Sequence, residues 1–411
     1  MRRFVWRVRR NYDGVAARRL AAPSRIRAPL HAMTIYLNNA ATGFPKPTSV
    51  SKAVGELIES PPCDHLRSGI DTKGNTVDRC RRRIAELFNA PDPSRVAFTS
   101  GATESLNLAF KGLALHGSHV VTTAVEHNSV LRPLRTLERN AHISLTIVPC
   151  DPFGYVSTDD VAAAIRPNTA LVVVNHCSNV TGTVNDIEAV GAVVRRCNAI
   201  FLVDASQSAG VYPIDVEKMN IDILAFTGHK ALHGLQGIGG IYVRDGVEIS
   251  PLKVGGTGIR SDYPFQPEEL PLRFEAGTLN LPGIVSLEEG VKFIEETGME
   301  TARRYKESCV ARLRDFLRRF NSVRLFPPAG CDVTTTILSF TINGVPPSDI
   351  CYILENNFAI VTRSGLHCAP LIHEHIGASP GGTVRVSPSW FTTDDELSAF
   401  EHAIEQIVQM D

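Results

Sequence analysis

The sequence predicts an α/β fold: a large domain built on a mainly parallel sheet, followed by a smaller α+β domain. Three observations carry that prediction. From Val96 onward, short near-continuous Val/Ile/Leu runs alternate with helix-length amphipathic segments. Strands that are apolar along their whole length suit a parallel sheet covered by helices on both faces. After "LNLPGIVSLEEGVKFIEETG" the texture changes, and 411 residues are too many for one ordinary core yet too few for three comfortable domains.

Taken in order, residues 1–33 hold nine arginines and one acidic residue. An arginine-rich, acid-poor leader is a feature of organelle transit peptides, which are also serine-rich. Here Ser24 is the only serine or threonine, so the reading favours translation from Met33, and the leader is left out of fold reasoning. Residues 34–50 are expected to pack with the small domain, 51–285 to form the large domain, and 286–411 the small one. The large-domain strands are "RVAFTS", "HVVTTAV", "ISLTIVP", "TALVVVNH", "AIFLVDAS", "IDILAFT" and "GGIYVR". Helices such as "ESLNLAFKGLAL" and "DIEAVGAVVRRC" lie between them. In the small domain a charged helix, "METARRYKESCVARLRDFLRRF", carries Leu313, Phe316, Leu317 and Phe320 on one face. It precedes strands in "TTTILSFTI", "FAIVTRSG" and "TVRVSPS", and a last helix opened by a Thr393-x-x-Glu396 capping box.

Composition narrows the function classes. A net charge of −1 with 21% charged residues argues against nucleic acid as the main partner, which would call for a basic stripe. No apolar run approaches the ~20 residues of a membrane span. The nine cysteines are scattered without paired CxxC spacing. They read as reduced thiols in a reducing compartment, with the cytoplasm the expected location and an organelle the alternative if the leader is a true transit peptide.

Chemistry-bearing residues follow the strands, where ligands collect in open α/β sheets. "RVAFTS" leads into Gly101-Ala102-Thr103-Glu104 and a helix, a place for an anion. "VVTTAV" leads to Glu126-His127-Asn128, "LVVVNH" to Ser178-Asn179, "AIFLVD" ends in Asp204 before Ser206-Gln207, and "ILAFTG" leads to His229-Lys230. Each alone reads blandly, as a turn, a cap or a solvated charge. Together they place phosphate donors, an imidazole, a carboxylate and a lysine on one sheet edge. Pyridoxal 5′-phosphate needs that set: a lysine for its aldehyde, a carboxylate for its ring nitrogen, and N–H and hydroxyl donors for its phosphate.

The stretch "VDASQSAGVYPIDVEKMNIDILAFTGHKALHGLQGIGG" resembles the cofactor-binding core of class V aminotransferases, specifically the cysteine desulfurase and selenocysteine lyase branch. The resemblance runs from "YLNNAAT" to the final helix and implies the fold type I architecture of pyridoxal-phosphate-dependent transferases. It implies that Lys230 bonds the cofactor aldehyde, Asp204 pairs with the ring nitrogen, Gln207 bonds the ring hydroxyl, and His127 stacks on the ring. Ala102, Thr103, Thr227 and His229 match the phosphate end, and Asn179 lies near cofactor and substrate. Thr278 in "FEAGTLN" matches a phosphate contact made across a subunit interface, which implies a homodimer. Ala102 stands where many relatives carry a second Thr, and Thr227 where Ser is common. "PPCDHLRSGIDTKG" aligns only loosely, so His65 and Arg67 are less firmly matched to substrate-gating residues.

Cys368, after a histidine in "TRSGLHCAPLIHEHIG", looks displayed where Cys177, Cys309 and Cys351 look buried. "RSGLHC" matches the short catalytic loop of the family, so the resemblance implies that Cys368 accepts sulfur from L-cysteine as a persulfide, releasing L-alanine. The loop is expected to swing between the site and an external sulfur-acceptor protein serving iron–sulfur cluster or other biosynthesis. Arg385 in "TVRVS" matches the clamp on the substrate carboxylate, with Arg363 a second contact. Selenocysteine lyase, and a sulfur-carrying scaffold with weak catalysis, are the alternatives. His367, Cys368, His373 and His375 fit no standard zinc spacing, so no metal is expected. Cys63, Cys150 and Cys331 have structural readings.

Overall fold

Strands apolar on both faces have to be covered on both sides, and the computed structural model, which describes residues 34–61, 75–327 and 335–409, shows how. A short strand, β1 (Ile35–Tyr36), and two helices, α1 (Thr48–Glu59) and α2 (Thr76–Leu87), come first. Then strands and helices alternate: β2 (Val96–Thr99), α3 (Ala102–Gly112), β3 (Ser118–Thr123), α4 (Asn128–Arg139), β4 (Ile143–Val148), α5 (Thr158–Ala164), β5 (Thr169–Asn175), α6 (Ile187–Arg195) and β6 (Ile200–Asp204). β7 (Ile223–Thr227) and β8 (Gly239–Val243) complete a seven-stranded sheet of order β2-β8-β7-β6-β5-β3-β4. Strands β3 to β7 run parallel, and β8 is antiparallel to both of its neighbours.

The pleat sorts each strand's residues between two cores. Leu171, Val173, Leu202, Ile223 and Ala225 pack with Leu106, Phe110 and Leu134 of α3 and α4. Val172, Val174, Phe201, Val203, Leu224 and Phe226 pack on the other side with Ile84 of α2 and Val190 of α6. Each such fully buried aliphatic side chain contributes about 1.5–3 kcal/mol.

Helices α7 (Leu281–Thr297) and α8 (Met299–Leu317) carry the chain to a second region. Position 285 falls inside α7, whose Ile284, Leu287 and Val291 still belong to the large sheet's core. The change of core therefore comes one helix later than the change of texture, at α8, where Leu313, Phe316 and Leu317 enter a third cluster. The chain continues through β9 (Val323–Phe326), β10 (Leu338–Ile342), α9 (Pro347–Phe358), β11 (Ile360–Val361), β12 (Arg363–Gly365), α10 (Pro370–His375), β13 (Thr383–Val386) and α11 (Asp394–Val408); all but β12 and α10 contribute to that cluster, and Ile372 of α10 packs in the large sheet's core. Four of these strands form an antiparallel sheet of order β12-β13-β10-β9. "FAIVTRSG", expected as one strand, is two: β11 pairs in parallel with β1, whereas β12 pairs with β13. The N-terminal segment thus sits beside the small sheet, with Leu37 in its core. Thr393 and Glu396 make the reciprocal capping bonds of α11. From Ile35 onward the chain forms one compact unit. The leader, Cys63, His65, Arg67 and Cys331 lie outside the described residues.

Gly191 in α6 tests the packing. A Cβ there would lie 1.9 Å from the Met219 carbonyl oxygen. Helix propensity alone would make Gly→Ala stabilising by up to ~1 kcal/mol, yet overpacking against rigid backbone costs about 1–3 kcal/mol. Gly191→Ala should therefore lower unfolding stability in urea titrations; a gain would contradict this packing.

Candidate active site

Because the parallel strands share one direction, the residues past their carboxyl ends meet in one cavity of about 430 Å³. The turn into α3 brings Ala102 and Thr103, the end of β3 brings His127, β5 brings Asn175 and leads to Asn179, and β6 brings Asp204 and then Gln207. β7 brings Thr227, His229 and Lys230. The small sheet adds Arg363, His367 and Arg385. The N-terminal segment closes one side at Ala40 and Ala41, and there Gly43 is required: a Cβ would lie 2.5 Å from the Lys230 carbonyl oxygen.

Asp204 is buried, with one carboxylate oxygen accepting from the Ser206 amide at 2.9 Å and from the Ser206 hydroxyl. Lys230 faces the cavity interior. Burial lowers its pKa to about 8, the Asp204 charge opposes that fall, and the Arg385 and Arg363 guanidiniums deepen it. A share of the lysine is therefore uncharged at neutral pH.

His127 caps α4: its Nδ1 accepts from the Ser129 amide at 3.0 Å. The Ser129 hydroxyl lies 2.8 Å from the same nitrogen and 2.8 Å from the Thr103 hydroxyl, which gives a donor chain Thr103 to Ser129 to His127. The imidazole hydrogen then sits on Nε2, and burial holds the ring neutral, with a pKa lowered to about 4. Thr103 spends its hydroxyl hydrogen in that chain, so its donor for an anion is its N–H, one of the first-turn amides that α3 does not itself use. His229 Nδ1 lies 3.0 Å from Thr42 Oγ1. Gln207 donates its amide nitrogen to the Ala40 carbonyl at 2.9 Å, so its oxygen is what it can offer a ligand.

The substrate-sized end is cationic. Arg385 is fully buried, donating to the Asn179 carbonyl at 2.8 Å and to Asn38 Oδ1 at 3.2 Å, while its Nε has no partner. Arg363 stands directly opposite it on β12. Like charges facing each other across strands are destabilising unless something negative lies between them. No carboxylate forms a salt bridge with either among the described residues.

Cys368 is exposed, 3.5 Å from an Arg363 guanidinium nitrogen. The expected swinging loop is not what the structure shows. The connection between β12 and α10 is four residues long, with the Cys368 carbonyl accepting from the Asn128 amide at 2.7 Å and the His367 carbonyl from Asn179 Nδ2 at 2.7 Å. His367 and Cys368 both hold positive φ, 48° and 60°, a strained backbone that these bonds and the His367–Thr383 contact fix in place. Thr278 is exposed and lies outside the cavity lining.

Sequence reasoning named no role for Ser129, Asn175, Ser206 or Asn38. Ser206, Asn38 and Asn175 sit inside quoted motifs, but Ser129 and Asn175 act through neighbours that only the folded chain identifies. Among the described residues no cluster of three or more His, Cys, Asp or Glu side chains can hold a metal ion, and no helix is long and apolar enough to cross a membrane.

The profile of the family described as Aminotransferase class-V matches residues 35–400. A probable cysteine desulfurase of Pyrococcus abyssi is 32% identical over 394 residues, covering 93% of this chain and 96% of that protein. A cysteine desulfurase of Nostoc sp. is 32% identical over 396 residues, covering 91% and 93%. Among solved structures, the apo cysteine desulfurase of Thermococcus onnurineus NA1 superposes with a TM-score of 0.85 at 31% identity, covering 92% of this chain and 95% of that one.

The electrostatics make a signed prediction for the lysine. Asp204→Asn should move the Lys230 titration below about 8, and Arg363→Gln should move it above, because the two charges act in opposite senses. The pH dependence of Lys230 reductive methylation, followed by peptide mass spectrometry on the cofactor-stripped chain, reads both; shifts of the same sign would contradict the arrangement.

Proposed function

The chain belongs to the class-V aminotransferase family, and from that membership and this cavity we propose that it is a pyridoxal 5′-phosphate-dependent cysteine desulfurase, converting L-cysteine to L-alanine and holding the sulfur on Cys368. The observation that carries the reading is the pair of guanidiniums, Arg363 and Arg385, that have no carboxylate in a salt bridge among the described residues and stand beside an exposed thiol and a lysine of lowered pKa. The residues fit the cofactor. The first-turn amides of α3, Thr227 and His229 would hold its phosphate, Asp204 its ring nitrogen, and His127 its ring face. Orphaned polar atoms in the same wall, Asn179 Oδ1 and Arg385 Nε, call for a polar ligand.

When bound, pyridoxal 5′-phosphate supplies an aldehyde that captures an amino group and a ring that withdraws electrons from Cα. The protein does the rest. Arg385 and Arg363 hold the substrate carboxylate, fixing which bonds face Lys230 and Cys368. Lys230, partly uncharged at neutral pH, takes and returns a proton at Cα. The Cys368 sulfur bonds to the substrate sulfur as the Cβ–S bond breaks. Cβ gains a hydrogen, L-alanine leaves, and the transferred sulfur remains as a Cys368 persulfide, so atoms and electrons balance without an outside reductant.

A pinned four-residue connection cannot carry that sulfur far. The acceptor, a thiol on another protein serving iron–sulfur cluster or other sulfur-dependent biosynthesis, has to approach exposed Cys368 itself. The exposure of Thr278, Val254 and Phe265 supports a homodimer in which Thr278 serves the partner's phosphate site. Seven free cysteines and no disulfide among the described residues suit a reducing compartment such as the cytoplasm.

Incubation with L-cysteine should add one sulfur atom to the Cys368 peptide by mass spectrometry. Cys368→Ala should lower alanine formation from cysteine by at least about 10²-fold. Unchanged turnover would contradict the role of Cys368, and turnover kept with selenocysteine alone would favour a lyase.

A further inference from the structure

Glu126 lies three residues past β3 and is fully buried. Its Oε1 accepts from the Thr123 hydroxyl at 2.7 Å and from the Asn175 amide at 2.8 Å. Its Oε2 is buried with no partner, and so is Oδ1 of Asn175, the same residue whose amide serves Oε1. Asn175 lines the cavity and is the cross-strand partner of Asp204. Two acceptor oxygens cannot satisfy each other, but a proton on one turns the pair into donor and acceptor.

We propose that Glu126 is a carboxylic acid in the working protein and that its Oε2–H donates to Asn175 Oδ1, making it a positioning residue. It fixes the Asn175 amide with Nδ2 free for the cavity, and it keeps a second negative charge away from Asp204. The charged group acting on Glu126 from its neighbours is Asp204, of the same sign, and the groups bonded to it, Thr123 and Asn175, are neutral. Burial, reinforced by Asp204, pushes the Glu126 carboxyl up to about 8. The competing arrangement turns the Asn175 amide over so that Nδ2 donates to an ionised Glu126, which would bury a second carboxylate charge within reach of Asp204 with no cation among the groups acting on it.

The positioning role rests on the reading of Asp204 given above; the protonation does not. Infrared difference spectra of the full chain, wild type against Glu126→Gln, with and without cofactor at neutral pH, separate the two. The expected result is a carboxylic-acid carbonyl band in wild type that Glu126→Gln lacks and that fades as the pH rises through about 8. Asn175→Ala, which removes the acceptor, should shift the band without abolishing it and gives a readout should the Gln variant fail to fold. A carboxylate band in its place, or an acid band indifferent to both substitutions, overturns the proposal. An acid band in a chain that binds no cofactor would keep it while sinking the desulfurase reading.

Discussion

The cavity holds more positive than negative charge, and most of its architecture follows from that imbalance. Arg363 and Arg385 face each other across β12 and β13 and both act on Lys230, where Asp204 is the carboxylate that opposes them. Arg385 is the largest fully buried side chain among the described residues. Burying a guanidinium without a carboxylate is tolerable only where backbone oxygens hold it and an anion completes it. Here the Asn179 carbonyl and Asn38 hold it, and the substrate carboxylate is the completing anion in our reading.

The same residues join the two sheets. Asn179, which follows β5 in the large sheet, accepts from Arg385 of the small sheet and donates to the His367 carbonyl beside Cys368. One loop therefore sets the carboxylate clamp and the thiol's position together. Asn128, the first residue of α4 after His127, holds the Cys368 carbonyl, so the imidazole and the thiol loop are also linked through adjacent residues. An arrangement fixed at this many points holds the thiol in one place relative to the guanidinium pair.

Much of this is legible in the sequence. The seven large-sheet strands stand out because most are near-continuous apolar runs, and the residues at or past their ends include Asp204, His127 and Lys230. Two features are not legible. Whether "FAIVTRSG" makes one strand or two depends on β1, at the opposite end of the described chain, claiming Ile360 and Val361, and no local pattern encodes that pairing. The pinning of the Cys368 loop is hidden as well, because the bonds that hold it come from Asn128 and Asn179, far away in the sequence. Asn175 and Glu126 stay hidden for a related reason: each leaves a buried oxygen without a partner, which only the folded chain reveals.

Among the described residues, three lysines have pKa values lowered to about 8 by burial, Lys46, Lys230 and Lys306. Of these, Lys230 alone lines the cavity that contains Asp204. Loading the stripped chain with pyridoxal 5′-phosphate, reducing with borohydride and mapping the modified peptide therefore tests the account most directly. The account predicts the label on Lys230, with Asp204→Asn weakening cofactor binding; a label on Lys46 or Lys306, or none anywhere, would contradict it.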